Sequence, residues 1–120
     1  MRHRKNTKKF KRTEEDRKRL WTDLSRGLIN SPEGRIETFT TRAKWFRPKF
    51  ERLVTLVKKA GDDQVLAYRR LRKYLPEKES RIMIEKIVPK FNKREGGYTK
   101  QFHIKYDFDT QDKSIVLLTD

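Results

Sequence analysis

The apolar residues of this chain fall into a series of runs at helical spacing, each closed by proline or glycine, followed by one long run of strict alternation. Such punctuation leaves few folds open, because each amphipathic helix must lay its stripe on a common core and the alternating strand must turn one face toward it. The first run opens at Thr13-Glu14-Glu15-Asp16, where the Thr13 hydroxyl can accept from the Asp16 amide and three carboxylates sit at the positive helix end. It predicts a helix over 14–29 with Leu20, Trp21, Leu24 and Leu28 as its stripe, ended by turn residues at 30–34. Residues 35–40 are β-branched and alternating, which suits a short strand. Phe46, Phe50, Leu53, Val54 and Val57 predict a second helix over 42–60, kinked near Pro48 and capped by Gly61. A third helix over 63–74 carries Ala67, Tyr68, Leu71 and Leu75, and a fourth over 78–88 carries Met83, Ile84, Ile87 and Val88.

Gly96-Gly97 then releases the chain into the alternating run, with Tyr98, Lys100, Phe102, Ile104, Tyr106 and Phe108 on one side. That side is expected to be the buried one, with Phe102, Ile104 and Tyr106 packed on Leu24, Phe50 and Leu53. A four-residue turn at 109–112 leads into a last strand at 115–118, giving an antiparallel hairpin. The expected fold class is α/β in the α+β sense: four helices packed on a small mixed sheet of about three strands.

Charge decides the partner. Lys and Arg number 32 against 17 Asp and Glu, a net of +15 in 120 residues, and such an excess points to a polyanion. Leu, Ile, Val and Phe still make up about 24% of the chain, above the roughly 20% below which charged chains are usually disordered, so a core can form. Residues 1–12 hold Arg2, Arg4, Lys5, Lys8, Lys9, Lys11 and Arg12 with His3 and no acid. They are expected to form a basic arm, disordered when free, ahead of a single α/β domain over 13–120. Residues 107–120 carry a net of −3, so the basic surface excludes the last strand. Zero Cys and no apolar run near the roughly 20 residues of a membrane span leave a cytoplasmic setting as the expectation, with neither secretion nor membrane insertion.

The arm is the first candidate for binding, since mobile cations can follow a phosphate backbone and release its counterions. The basic backs of the helices add Lys18, Arg19, Arg26, Arg69, Arg72 and Lys73. Trp21, Phe39, Trp45, Phe46 and Phe50 interleave with Arg42, Lys44, Arg47 and Lys49, which permits stacking on unpaired bases, with Phe46 and Phe50 better read as core and Trp45 left open. Catalysis has little to work with. His3 and His103 are the only acid/base pair for RNA cleavage, and one lies in the arm and the other on a strand. No His or Cys spacing suits a metal, and Gly96-Gly97 precedes a strand rather than a phosphate-binding helix. A DNA-binding architectural or regulatory protein is the alternative, with the tight link at Gly61-Asp62-Asp63 joining two helices as in a helix-turn-helix.

Several short motifs in order resemble the seventeenth protein of the bacterial large ribosomal subunit: Met1-Arg2-His3-Arg4-Lys5, Arg12-Thr13, Leu28-Ile29, Arg35-Ile36-Glu37-Thr38, Ala43-Lys44 with Arg47-Pro48, Leu53-Val54-Thr55-Leu56 with Lys58-Lys59, and Gly96-Gly97-Tyr98-Thr99. The resemblance implies a structural constituent of the large subunit, bound to large-subunit ribosomal RNA and neighbouring ribosomal proteins near the polypeptide exit side. It implies no enzyme activity, no cofactor, no metal and no small-molecule substrate. RNA contacts carry over most directly at Arg2, His3, Arg4 and Lys5. With the charge pattern, the expected RNA-binding set extends to Lys8, Lys9, Lys11, Arg12, Lys18, Arg19, Arg26, Arg42, Lys44 and Arg47.

Overall fold

A computed structural model describes residue 10 and residues 12–104 and 112–119. Most of the expected arm therefore lies outside the described residues, as do Tyr106, Phe108 and all of the 109–112 turn except Asp112. The elements run α1 (Glu14–Asn30), β1 (Arg35–Phe39), α2 (Thr40–Ala60), α3 (Gln64–Leu71), α4 (Glu77–Ile82), β2 (Thr99–Ile104) and β3 (Lys113–Leu118). Four helices and three strands match the expected class, and the sheet is antiparallel throughout rather than mixed. Its order β1-β3-β2 puts the last strand in the middle, so β3 must form before β1 has any partner.

Local chemistry sets the helix ends. The Thr13 hydroxyl accepts from the Asp16 amide at 3.2 Å, with Glu14, Glu15 and Asp16 in the first turn of α1. The carboxylate of Asp63 caps α3 by accepting from the Leu66 amide at 3.0 Å. Between these two helices, Gly61 at φ 61° closes α2, and a side chain in that left-handed conformation would be strained.

The two inner prolines have different outcomes. Helix α2 runs through Pro48 from Thr40 to Ala60, two residues earlier than expected at its start. Pro48 cannot donate to the Lys44 carbonyl, but both residues are exposed, so water can serve that group. Around Pro89 the fourth helix changes form. After Ile82 it widens into a π turn at Met83–Ile87, with the Val88 amide donating to the Met83 carbonyl, and then tightens into a 3₁₀ turn at Val88–Phe91. Pro89 sits in the first turn of that last segment, where its missing N–H breaks nothing.

One core holds these elements together: Leu28 and Ile29 of α1, Ala43, Phe46, Phe50, Leu53, Val54 and Val57 of α2, Ala67 and Leu71 of α3, then Leu75, Met83, Ile87, Val88, Phe91, Tyr98 and Val116. Trp21, Leu24 and Trp45 pack against it while staying partly open. Buried polar groups are tied into it. Ser25 donates to the Trp21 carbonyl at 2.8 Å, and Glu79, only 3% exposed, accepts from Asn30 at 3.0 Å and from Arg26 at 3.3 Å, which joins α4 to α1.

The expected facing of β2 is overturned. Thr99 is buried and Gln101 half-buried, while Lys100 is exposed and Phe102 is 51% exposed. Tyr98 is buried against Phe91, with ring centroids 5.1 Å apart, but it precedes the strand. Two consecutive residues, Tyr98 and Thr99, thus point inward, and alternation counted from Tyr98 is out of phase by one. Two side chains on α2 enforce that phase: Arg47 donates to the hydroxyl and the carbonyl of Thr99 at 3.0 and 2.9 Å. Glu51 accepts from that hydroxyl and from the Tyr98 amide, each at 3.1 Å. The register pairs Gln101 with Val116 and Val116 with Ile36 on the helix side, leaving Phe102 beside Ile115 on the far side.

Two stability outcomes follow from this packing. Phe50→Ala should cost about 3–5 kcal/mol of unfolding free energy, whereas Phe102→Ala should cost less than about 1 kcal/mol. Denaturant titration of both variants checks the facing of β2, and a large loss at Phe102 would restore the opposite phase. The second concerns Glu79. Burial pushes its carboxyl up, but hydrogen bonds from Asn30, its own backbone amide and Arg26, with the Arg26 charge, outweigh that and hold it below the ordinary range. A carboxyl depressed on folding stabilises the native state above the unfolded value of about 4.3, and the contribution disappears as pH falls through the native value. Glu79→Gln should therefore be less stable than the parent chain at neutral pH, and the gap should narrow as the pH drops below about 4. A gap that stays constant with pH would remove the charge of Glu79 from the account.

Candidate nucleic-acid interface

Docking of α1, α2 and the turn after α3 gathers cations that are far apart in sequence. Lys18 and Arg19 of α1 share a groove with Arg72, Lys73 and Tyr74. Beside it, and again bordered by Tyr74, a second groove of about 410 Å³ is lined by Trp21, Lys49, Arg52, Leu53, Thr55, Leu56 and Lys59. A third opening continues past Trp21 to Arg17, Lys18 and Trp45. Lys18, Arg19, Arg52 and Lys59 have no carboxylate partner within salt-bridge distance among the described residues. The result is a continuous face with aromatic walls on which cations outnumber the acids Glu14, Glu15 and Asp23 that also line it, a composition that suits a phosphate backbone with exposed bases.

Electrostatics inside the face record its excess charge. Lys49 is pushed below the ordinary lysine value first by burial and then by the charges of Arg52 and Arg17. Its ammonium lies 5.0 Å from the Trp45 ring centroid, a cation–π contact that offsets part of that cost. Phe10 meets the same Trp45 edge-on with centroids 5.2 Å apart, so the one aromatic of the basic arm is docked at this face.

The expected RNA-binding residues divide into three groups. Arg2, His3, Arg4, Lys5, Lys8, Lys9 and Lys11 lie outside the described residues. Arg12 is exposed with its carbonyl accepting from Arg17 at 2.7 Å, and Lys18, Arg19 and Lys44 are exposed on their helices. Arg26, Arg42 and Arg47 have intramolecular contacts. Arg26 pairs with Glu79 and, at 4.0 Å, with Asp23; Arg42 stacks on Phe39 at 5.1 Å; Arg47 holds Thr99. Fewer of their donors remain for an external phosphate.

Arg52, Lys59 and Tyr74 belong to the face although the sequence reading gave them no binding role. Tyr74 follows a helical stripe by spacing but is 39% exposed, tilted against Trp21 with centroids 5.5 Å apart. A usable signal was the Arg52 and Lys59 pair on the same side of α2 as Lys49 and opposite its apolar stripe.

The rival sites are weaker. His103 pairs with Asp112 at 3.4 Å on the edge strand. Among the described residues no cluster of His, Cys, Asp and Glu is arranged to hold a metal, and no helix is long and apolar enough to cross a membrane. Helix α3, the candidate recognition helix of a helix-turn-helix, has only eight residues, and apolar Val65 and Leu66 are exposed on it beside Gln64 and Arg69.

Comparison with known proteins places the chain in a family. The family described as Ribosomal protein L17 matches residues 20–119. A large ribosomal subunit protein bL17 of Hydrogenobaculum sp. is 43% identical over 101 residues, covering 83% of this chain and 81% of that protein. The bL17 of Persephonella marina is 40% identical over 106 residues, covering 87% and 82%, and that of Sulfurihydrogenibium sp. is 36% identical over 106 residues, covering 88% and 84%. These proteins are structural components of the ribosome, not enzymes. With nearly all of the described fold inside the matched stretch, the chain belongs to the ribosomal protein L17 family.

Proposed function

We propose that the chain serves as a structural constituent of the large ribosomal subunit by binding large-subunit ribosomal RNA through two basic surfaces. One is the folded face of Lys18, Arg19, Lys49, Arg52, Lys59, Arg72 and Lys73. The other is the arm over 1–12, with seven cations and no acid. The observation that carries the reading is the excess of cations at the junction of α1, α2 and the turn after α3, of which Lys18, Arg19, Arg52 and Lys59 have no carboxylate within salt-bridge distance among the described residues. Like charges held close in a free protein cost energy, and a polyanion removes that cost. The curated relatives are large-subunit proteins, which makes ribosomal RNA the polyanion at hand and other ribosomal proteins the neighbours. The position near the polypeptide exit side follows from the family resemblance.

The arm and the folded face have separable roles. Arg2 and Arg4 can form forked bonds to phosphates, while Lys5, Lys8 and Lys9 act as point charges. If about four or five of these cations each neutralise one phosphate, deleting residues 1–9 should flatten the plot of log affinity against log salt by roughly 3–4 units. The deleted chain should still fold, because the core begins beyond the arm, at α1. Binding of a large-subunit ribosomal RNA fragment measured across a salt series checks this, and an unchanged slope would leave the arm without a role in RNA binding.

A further inference from the structure

The groove at Trp21 and Tyr74 has features that phosphate binding alone does not require. Its walls are aromatic: Trp21 and Tyr74 lie 5.5 Å apart, and Trp45 stands at the adjoining opening. Its rim is cationic, with Lys49, Arg52 and Lys59, and its floor is small and mostly aliphatic, with Leu53, Thr55 and Leu56. A volume of about 410 Å³ lies within the range of about 300–1,000 Å³ common for small-ligand sites. An aliphatic peptide could meet the apolar lining but would leave the rim cations uncompensated. A paired helix could reach the rim but keeps its bases stacked within the duplex, with no free face to lay against the rings.

We propose, building on the RNA-binding reading above, that this groove takes one unpaired nucleotide of an RNA strand, its base against Trp21 and Tyr74 and its phosphates on Lys49, Arg52 and Lys59. The base supplies a flat π-face to the two rings, a contact that tolerates any sequence. Phosphates on either side of that base meet charges that are otherwise unneutralised, and the depressed ammonium of Lys49 is one sign of that excess. The groove therefore selects an extruded or single-stranded nucleotide over a stacked one.

The experiment reads the groove directly, because Trp21 lines it and Trp45, the other tryptophan of the chain, stands at the adjoining opening. Tryptophan emission of the full chain is titrated with a six-nucleotide oligoadenylate, an abasic strand with the same number of phosphates, and a duplex of equal length. The expected result is quenching by oligoadenylate with affinity about tenfold above that of the abasic strand and the duplex, in line with about 1–3 kcal/mol per stacked base. Tyr74→Ala should remove about that tenfold preference, Tyr74→Phe should keep it, and Arg52→Gln should weaken oligoadenylate and abasic strand alike. Circular dichroism confirms that each variant is folded, and the Phe and Gln variants carry the test if the Ala variant is not.

Equal affinity for oligoadenylate and abasic strand, quenching by the duplex as strong as by oligoadenylate, or loss of the preference in Tyr74→Phe would overturn the proposal. Filter binding of a large-subunit ribosomal RNA fragment is measured in parallel. Retained fragment binding without a preference for oligoadenylate removes the base slot and leaves the RNA-binding reading standing. Loss of fragment binding by the parent chain removes both.

Discussion

The grip of Arg47 and Glu51 on the start of β2 is the interaction on which the remaining geometry depends. The two residues are one helical turn apart on α2, so their side chains reach the same point, and together they satisfy the Thr99 hydroxyl, the Thr99 carbonyl and the Tyr98 amide. That arrangement turns Thr99 inward directly after Tyr98. β2 then dictates β3 by register, and β3 dictates β1, because β3 is the middle strand. The inner face near the start of α2 is consequently polar but satisfied: Ser114 shares a 2.9 Å hydrogen bond with Thr40 and accepts from Gln101 at 3.3 Å. Hydrogen bonds made inside a buried site are stronger than the same bonds in water, so a polar inner face with every group paired is compatible with a stable sheet.

This grip also explains how far the fold could be read in advance. Helix existence was legible because capping residues, prolines and glycines act within a few residues of their own positions, as at Thr13, Gly61 and Asp63. The facing of β2 was not, since the choice depends on Arg47 and Glu51, whose contacts with Thr99 span 52 and 48 residues of chain. Period-2 alternation fixes a relative pattern and leaves its phase to tertiary contacts. The change of form around Pro89 escaped for a related reason. A proline announces that an α-helical bond is lost, but whether the chain stops or rearranges through a wider turn depends on whether Met83, Ile87 and Phe91 still find the core, and here they do.

The candidate site divides along the same line. Net charge and the arm were legible from composition, because charge is additive along the chain. Which cations face outward was not, because Arg26 and Arg19 look alike in sequence, and the difference is Glu79, 53 residues from Arg26. The buried carboxylate of Glu79 thus binds Arg26 and holds α4 to α1, while Lys18, Arg19, Arg52 and Lys59 have no such partner among the described residues. The fold sorts one basic composition into structural cations and available ones. Substituting Arg26 and substituting Arg19 are for that reason different perturbations: the first leaves Glu79 with one partner fewer in a buried site, and the second changes only the surface potential.

Phe10 connects the sorted face to the arm. It is the one residue other than glycine described with positive φ, at 53°, a conformation that costs energy for a residue with a side chain. Its edge-on contact with Trp45 is the compensation the structure provides, since such aromatic pairs contribute about 0.5–1.5 kcal/mol beyond their buried area. Trp45 in turn carries Lys49 over its ring and adjoins the groove at Trp21. Covalent continuity then tethers the cations before Phe10 to the mouth of the aromatic groove. On the proposed RNA-binding reading, two weak sites joined at such a point act on one strand at high effective concentration, because engaging either holds the strand within reach of the other. A single aromatic in an otherwise cationic stretch, just ahead of α1, thus joins that stretch to the folded face at one defined residue, Phe10.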